Sequence, residues 1–452
     1  MNPNGRTDIA ANAGSPRSVH VTESSEDPLE KSLGSEHQPD IPTEALECEP
    51  EAQEMDQDVE SIPSGSCPSV NDSEAIKDCD SQPTDVDGVQ YTPPTFSVTP
   101  SLVHECHFKH FTKGVKWAKD GSNFAVVTDD NRIHVWKAVG NLTRYDVPEE
   151  VATEHVVTVR EPQPINDFAW HPSHDLGSFV TTCNTQPLHM FEAATGKLLC
   201  SYVAKNHLDE LVSAYSVQFS KCGAKICAGY KKFVRLFEVE YPGRSTEVST
   251  WKQYQAGIVS AVDFGGENLL AVGTYCNSVA LYDLRSREMT HNPVVGHSGG
   301  ITQLRISFDG TLLYSGARKD NVIHCRDLRQ FEEVLYEFPR VCATNQRMHF
   351  DLPYEEDFLA TGNTDGSCYV WNLRDRQVYD ENKCQPNLIF MPHTDLQKTK
   401  CSAANGISFH PWAPLLATSS GGRTTTVWDE ETEQCVWKET PECAVKFWKF
   451  PA

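Results

Sequence analysis

An all-β fold, a closed ring of seven four-stranded blades (a β-propeller), is what the sequence predicts, on three observations. One strand–turn–strand–loop–strand pattern recurs seven times along the chain. Its period lies close to 45 residues, the length of one propeller blade. The third strand of each copy ends in a large residue, usually aromatic, followed by a polar one.

The copies begin near Gly114, Ile165, Tyr215, Ile258, Ile301, Arg347 and Asn405. Each opens with an apolar strand. A turn such as Asp120-Gly121 or His171-Pro172 follows, then a second strand of small and apolar residues. The third strands are read to end at Trp136, Phe191, Phe237, Tyr282, Arg326, Trp371 and Trp428. The spacing and the Trp-Asp-like ending are the WD-repeat signature. A weaker run after each, such as Lys197–Tyr202 or Val334–Phe338, supplies the fourth strand. No blade buries its own apolar faces, so stacking seven in a ring buries them all. Cys106–Phe111 and Cys435–Val445 are both candidates for completing the last blade. Arg326 stands where the repeat expects Trp, and a His–Ser–Asp set (His297, Ser315, Asp320) is expected only in the fifth blade. The other blades are expected to rely on packing alone, giving modest intrinsic stability.

Composition divides the chain of 452 residues in two. Residues 1–100 hold 21 acidic and 4 basic residues and no Trp. The remainder holds 42 acidic and 35 basic residues and is nearly balanced. So acidic and Ser/Pro-rich a segment cannot offset its ordering entropy by burial, so 1–100 is read as a disordered tail and 101–452 as the propeller. Ser15-Pro16 and Ser24-Ser25-Glu26-Asp27 in the tail are candidate phosphorylation sites, with a plain solubilising linker the blander expectation. No run approaches the roughly 18 apolar residues of a membrane span, and no secretory signal is visible. The 16 cysteines include no Cys-x-x-Cys pair and read as reduced, mostly buried thiols of an intracellular protein. Cys106, His107 and His110 fit no closed zinc pattern.

Strand order sorts the loops onto two faces. Loops between second and third strands share one face with the blade-to-blade connections, here the connection face. Turns between first and second strands lie on the opposite, turn face. The connection face collects Lys205, Asn206, His207, Tyr230, Lys231, Lys232, Tyr275, Arg318, Lys319, Arg347 and Arg423. The turn face collects Asp120, Asp175, Glu267, Asp309, Glu355, Glu356 and Asp357. The propeller is therefore expected to be polarised, basic with tyrosines on one side and acidic on the other. Basic side chains reach phosphates and aromatic rings stack on unpaired bases, so the basic face is a candidate nucleic-acid surface.

Enzymatic chemistry is not signalled. Gly296-His297-Ser298-Gly299-Gly300 matches G-x-S-x-G, but that elbow needs a strand before it and a helix after it. Here a strand, Ile301–Ile306, follows. No glycine loop of the phosphate-cradling type occurs. The chain is expected to bind rather than catalyse, with no cofactor and no metal.

Six runs go beyond any repeat consensus: NHLDEL (Asn206–Leu211), YPGR (Tyr241–Arg244), GHSGGIT (Gly296–Thr302), SGARKD with DLRQ (Ser315–Asp320, Asp327–Gln330), TNQR with FDL (Thr344–Arg347, Phe350–Leu352), and NGISFHP to SSGGR (Asn405–Arg423). In this order they resemble the telomerase Cajal body protein family, from about Phe108 to Trp428. The resemblance implies an RNA-binding localisation factor. It would bind small Cajal body RNAs, and telomerase RNA where present, through a short single-stranded loop element. It would direct these ribonucleoproteins to Cajal bodies, supporting telomere maintenance and RNA modification. Implied partners are the telomerase ribonucleoprotein proteins and the cytosolic chaperonin that folds the propeller, with neither DNA nor membrane. The implied location is the nucleus and its Cajal bodies, with some protein in the cytoplasm, as a monomer. The resemblance and the strand order together nominate Arg318, Lys319, Arg347 and Arg423 as phosphate or guanine contacts, beside Lys232. Tyr230 or Tyr275 is the expected stacking platform. Asn206 and His207 are expected to contact base edges or to hold their loop. A protein-interaction scaffold without direct RNA binding is the competing expectation, and the two differ in salt dependence.

Overall fold

A computed structural model describes residues 98–451, except 141, 144–146, 174–176, 207, 354, 375–377, 381, 394–401, 422–425, 430–433 and 438–441. Expectations placed on the acidic segment up to residue 97, and on Asp175, His207 and Arg423, lie outside the described residues.

The strands build a seven-bladed β-propeller of antiparallel blades. Blade 1 comprises Thr112–Trp117, Asn123–Thr128, Arg132–Val139 and Ala152–Arg160, from channel to rim. The innermost strands of blades 2 to 7 are Ile165–Trp170, Ser216–Phe219, Val259–Gly265, Ile301–Ile306, Phe350–Asp351 and Ala404–Phe409. Successive side chains of a strand point to opposite faces, and here both faces are covered by neighbouring blades. Phe124 and Val126 therefore pack toward blade 7 while Ala125 and Val127 pack toward blade 2. This is why the second strands read as unbroken apolar runs. The apolar clusters among the described residues lie at the blade junctions, for example Tyr202, Phe219, Tyr230 and Phe237 between blades 2 and 3.

The last blade departs from the sequence reading. Its third strand is Ala444–Lys449, paired with Leu415–Ser420. The strand carrying Trp428, Thr426–Asp429, pairs instead with Gln434–Trp437 in a separate hairpin. Val445 and Phe447, both fully buried, complete the core against Trp117 and Phe124, which fixes which segment enters the blade. The outermost strand comes from the other end of the chain: Ser101–His107 pairs with Ala444–Lys449 and clasps the ring.

Side chains of the innermost strands bridge all seven junctions around the channel. Lys116 donates to Asp167 at 3.0 Å, and Asp167 accepts the Val217 N–H at 3.2 Å. Gln218 donates to Asp263, which accepts the Ile306 N–H. Gln303 exchanges two bonds with the Phe350 backbone, Asp351 accepts the Phe409 N–H, and Ser408 accepts the Trp117 N–H. Blade is thus tied to blade by directional bonds as well as by apolar burial.

Within blade 5, His297 Nδ1 lies 2.7 Å from Asp320 and Nε2 lies 2.9 Å from Ser315. Other blades are not held by packing alone. Blade 2 places Glu161 where blade 5 has His297, and its carboxylate accepts from Thr181 and lies 3.0 Å from His189. Blade 4 places Gln255 there, which accepts from the Tyr282 hydroxyl at 2.9 Å. Blades 2, 4 and 5 thus use three different polar residues at one structural position, so a search for one residue set finds only one. His297→Ala leaves the buried Asp320 and Ser315 short of a partner. It is expected to cost about 1–3 kcal/mol, read as a lower urea midpoint with unchanged slope.

Candidate nucleic-acid interface

The connection face is built from the turns between second and third strands. In blades 1 to 5 each of these turns holds one non-glycine residue at positive φ: Asn131, Thr185, Lys232, Asn277 and Lys319. Asn tolerates that conformation, and Gly366 takes it in blade 6. Lys232 (φ 75°) and Lys319 (φ 51°) take it at a steric cost, and both side chains are exposed.

Between blades 4 and 5 the chain passes through Gly299-Gly300. A Cβ at Gly299 would lie 1.8 Å from the Arg318 carbonyl oxygen, and one at Gly300 2.7 Å from that of Tyr275. The two glycines let the turns of blades 4 and 5 close on the connection from both sides. The Arg318 guanidinium then sits over the Tyr275 ring, 4.3 Å from its centroid. Such a stack contributes roughly 0.5–1 kcal/mol at a half-exposed site and, more usefully, fixes a planar donor fork. Both residues are half-buried. The Tyr275 hydroxyl end meets Arg347, so three residues selected from sequence gather in one cluster from blades 4, 5 and 6.

The remaining nominees are placed differently. Arg347 reaches into the channel, where it donates to the Tyr215 carbonyl at 2.7 Å and the Ser260 carbonyl at 3.1 Å and pairs with Asp167 at 3.5 Å. Burial disfavours its charge, but Asp167 and Tyr275 together outweigh burial and raise its affinity for the proton. Its fork is committed to three other blades, so it braces the cluster from below. Tyr230 is corrected outright. It is 1% exposed and stacks on Phe233 at 4.8 Å, so its ring packs the core between blades 2 and 3 and presents no face to a base. Asn206 bonds within its own loop: its amide donates to Glu210, and its carbonyl oxygen accepts the Leu208 and Glu210 N–H groups. Asp320 ties blade 5 internally, and no ion pair joins it to Arg318 among the described residues. Sequence reading passed over Tyr254, 92% exposed in the connection from blade 3 to blade 4. Its signal was an aromatic ring in the otherwise polar stretch Lys252–Gln255.

Charge is less polarised than the strand order suggested. The connection face is basic in the sector of Lys231, Lys232, Arg318 and Lys319, while around blade 1 Asp129 and Asp130 neutralise Lys113 and Arg132. The turn face, expected to be acidic, also carries Lys119, Lys221 and Arg305 at the channel mouth.

Cys106, His107 and His110 do not gather into a metal-ligand set among the described residues. Glu161, Cys183 and His189 do place ligand atoms within 4.8 Å of one another. That grouping is the buried polar tie of blade 2, with its hydrogen bonds already made.

Comparison with known proteins gives two findings. The family profile "WD domain, G-beta repeat" matches residues 289–327, from the rim of blade 4 through the third strand of blade 5. The protein named Telomerase Cajal body protein 1 from Rattus norvegicus is 35% identical over 378 residues, covering 79% of this chain and 68% of its own. That from Mesocricetus auratus is 37% identical over 332 residues, and the Telomerase Cajal body protein 1 homolog of Drosophila melanogaster is 31% identical over 328. These alignments cover 70% and 69% of this chain, and 59% and 57% of the two relatives. The chain thus spans little more than half the length of several relatives it matches.

Proposed function

The chain belongs to the telomerase Cajal body protein family, and from that premise we propose that it binds small Cajal body RNAs directly through the connection face of its propeller. The observation that carries this reading is the Arg318–Tyr275 stack, flanked by Lys319 and, one blade further, Lys232. A guanidinium held flat on an aromatic ring offers its edge to a phosphate or a guanine and its outer face to an unpaired base. Arg347 and Asn206 support this surface from below and beside it rather than touching RNA, and Tyr254 offers a second exposed ring. The chain acts in this reading as a carrier: it recognises an unpaired loop and takes the ribonucleoprotein to the Cajal body, including telomerase where its RNA is present. Its place of action is the nucleus, and its role is binding, without catalysis.

The test is crosslinking, immunoprecipitation and sequencing of RNA bound to the tagged protein and to an Arg318→Glu, Lys319→Glu variant. Guide-type small nuclear RNAs sharing one loop motif are expected with the parent and are expected to fall at least about tenfold with the variant. Binding in vitro is expected to weaken steeply with salt, because phosphate contacts release counterions. Equal recovery by the variant moves the site elsewhere. Absence of RNA from a well-folded preparation leaves a protein-interaction scaffold.

A further inference from the structure

At its connection-face end the channel opens into a pocket of about 200 Å³. That is room for roughly seven waters at ~30 Å³ each, the scale of one heteroaromatic ring system. The innermost strands enter the ring at this end, so residues at their starts line the pocket. Phe111 precedes the innermost strand of blade 1, and Asn166 is the second residue of that of blade 2. Asn345 and Gln346 come from the connection into blade 6, which crosses the channel at Arg347.

Three of these side chains carry chemistry that the fold leaves unused. No described residue hydrogen-bonds to the side-chain amide of Asn345 or Gln346, and none sets a ring against Phe111. Asn166 donates to Asn184 and to the Ala214 carbonyl, both at 3.0 Å, and keeps its own carbonyl oxygen. The lysines beside them are already neutralised: Lys113 pairs with Asp129 at 3.3 Å and Lys116 with Asp167 at 3.0 Å. What the pocket offers is therefore a neutral polar edge and an aromatic face, not a charge.

The loop that carries the amides is held at both ends. The Thr344 carbonyl accepts the Lys319 N–H at 3.1 Å, and the Thr344 hydroxyl accepts the Gln346 N–H at 3.2 Å. Arg347 is fixed by the Tyr215 and Ser260 carbonyls and Asp167, and meets the Tyr275 hydroxyl. The pocket and the Arg318–Tyr275 stack thus share one buttress, and ordered amides give up little freedom on binding.

An unpaired base is recognised by a ring against its face and by hydrogen bonds along its edge. A carboxamide sets one donor beside one acceptor, which matches the N6 amino group and adjacent ring nitrogen of adenine. We propose that this pocket takes a single unpaired adenine of the bound RNA, with its face on Phe111 and its edge read by Asn345 and Gln346. This rests on the RNA reading above and adds base choice to it: the cations around the Arg318–Tyr275 stack hold the strand, and the pocket selects the base.

Fluorescence anisotropy of end-labelled UUUAUUU, UUUUUUU, UUUGUUU and a U-rich heptamer with an abasic centre, on the full chain at fixed ionic strength, tests this. UUUAUUU is expected to bind about tenfold more tightly than the other three. Asn345→Ala with Gln346→Ala is expected to bring UUUAUUU to within about twofold of UUUUUUU. The melting temperature is expected to stay unchanged, because neither amide is bonded within the protein. With 2-aminopurine at the central position, fluorescence is expected to fall on binding to the parent and to fall much less with Phe111→Leu. Arg318→Glu with Lys319→Glu is expected to weaken all four oligonucleotides alike. Equal affinity for the four, or a preference for guanine, with that charge sensitivity kept, overturns the adenine pocket and leaves the RNA surface standing. A preference for UUUAUUU that survives loss of both amides also overturns it. Failure of every heptamer to bind at millimolar concentration overturns the RNA reading and the pocket together. Displacement of UUUAUUU by micromolar adenosine overturns the RNA subsite in favour of a free nucleoside.

Discussion

Deleting Ser101–His107 from the otherwise full chain is expected to lower the melting temperature by more than ten degrees, or to prevent folding. The segment supplies the rim strand of the last blade, pairing from Ser101 against Lys449 to His107 against Ala444 with a register shift at Val103. It buries Val103 and Cys106, accepts the Val151 N–H, and sets Glu105 3.4 Å from Lys446. Its removal strips the ladder from Ala444–Lys449 and bares apolar surface beside Phe447. Two buried side chains and half a dozen strand bonds amount to several kcal/mol, on the order of the whole margin of a folded domain. Thermal unfolding followed by circular dichroism reads the outcome. An unchanged midpoint means that the clasp is ornamental and that the ring is closed by inner strands alone.

Replacing Asp167 by Ala is expected to cost about 3 kcal/mol. Four groups depend on this carboxylate: Lys116 at 3.0 Å, Arg347 at 3.5 Å, and the N–H groups of Phe168 at 2.9 Å and Val217 at 3.2 Å. Without it, two cations face each other across the channel with no counter-charge. Burial raises the affinity of this carboxyl for a proton, but Lys116 and Arg347 more than reverse that, so it is held below the ordinary aspartate range. A group whose folded pKa is depressed stabilises fully above its unfolded value and loses that contribution as pH falls through the folded one. The parent is therefore expected to lose stability below about pH 4, and Asp167→Asn to lose part of that acid dependence. Urea midpoints between pH 6 and pH 3 measure both effects. Parallel curves for parent and Asn variant contradict the assignment. The same carboxylate is the anchor of Arg347, so Asp167→Ala is also expected to loosen Tyr275 and weaken RNA binding.

The repeat made the first six blades legible because every third strand carries a large side chain into a junction; even Arg326 is buried in place of Trp. Blade 7 misled because Thr426–Asp429 has the consensus ending while Ala444–Lys449 has the right partners, and partnership across a ring is not written in a local pattern. Tyr230 misled for a related reason. Loop position put it on the connection face, but it is the first residue after a second strand, where the side chain still turns into the junction. Arg318, by contrast, was legible as a loop cation, though its seat on Tyr275 depends on glycines in a third segment. The polar ties were hidden because three chemistries, His297, Glu161 and Gln255, fill one geometric role.

The clasp also has a timetable. Ser101–His107 is among the first propeller segments to leave the ribosome, and its partner, Ala444–Lys449, is among the last. During all the intervening synthesis the flank of blade 1, with Trp117, Phe124 and Val126, has no blade 7 to cover it. The nascent molecule therefore carries two sticky ends that match each other, and would equally match those of a neighbouring chain. Its hazard is greatest just before completion and grows with translation time and chain concentration, so how much functional protein a cell holds is decided by how those ends are sheltered as much as by the stability of the finished ring.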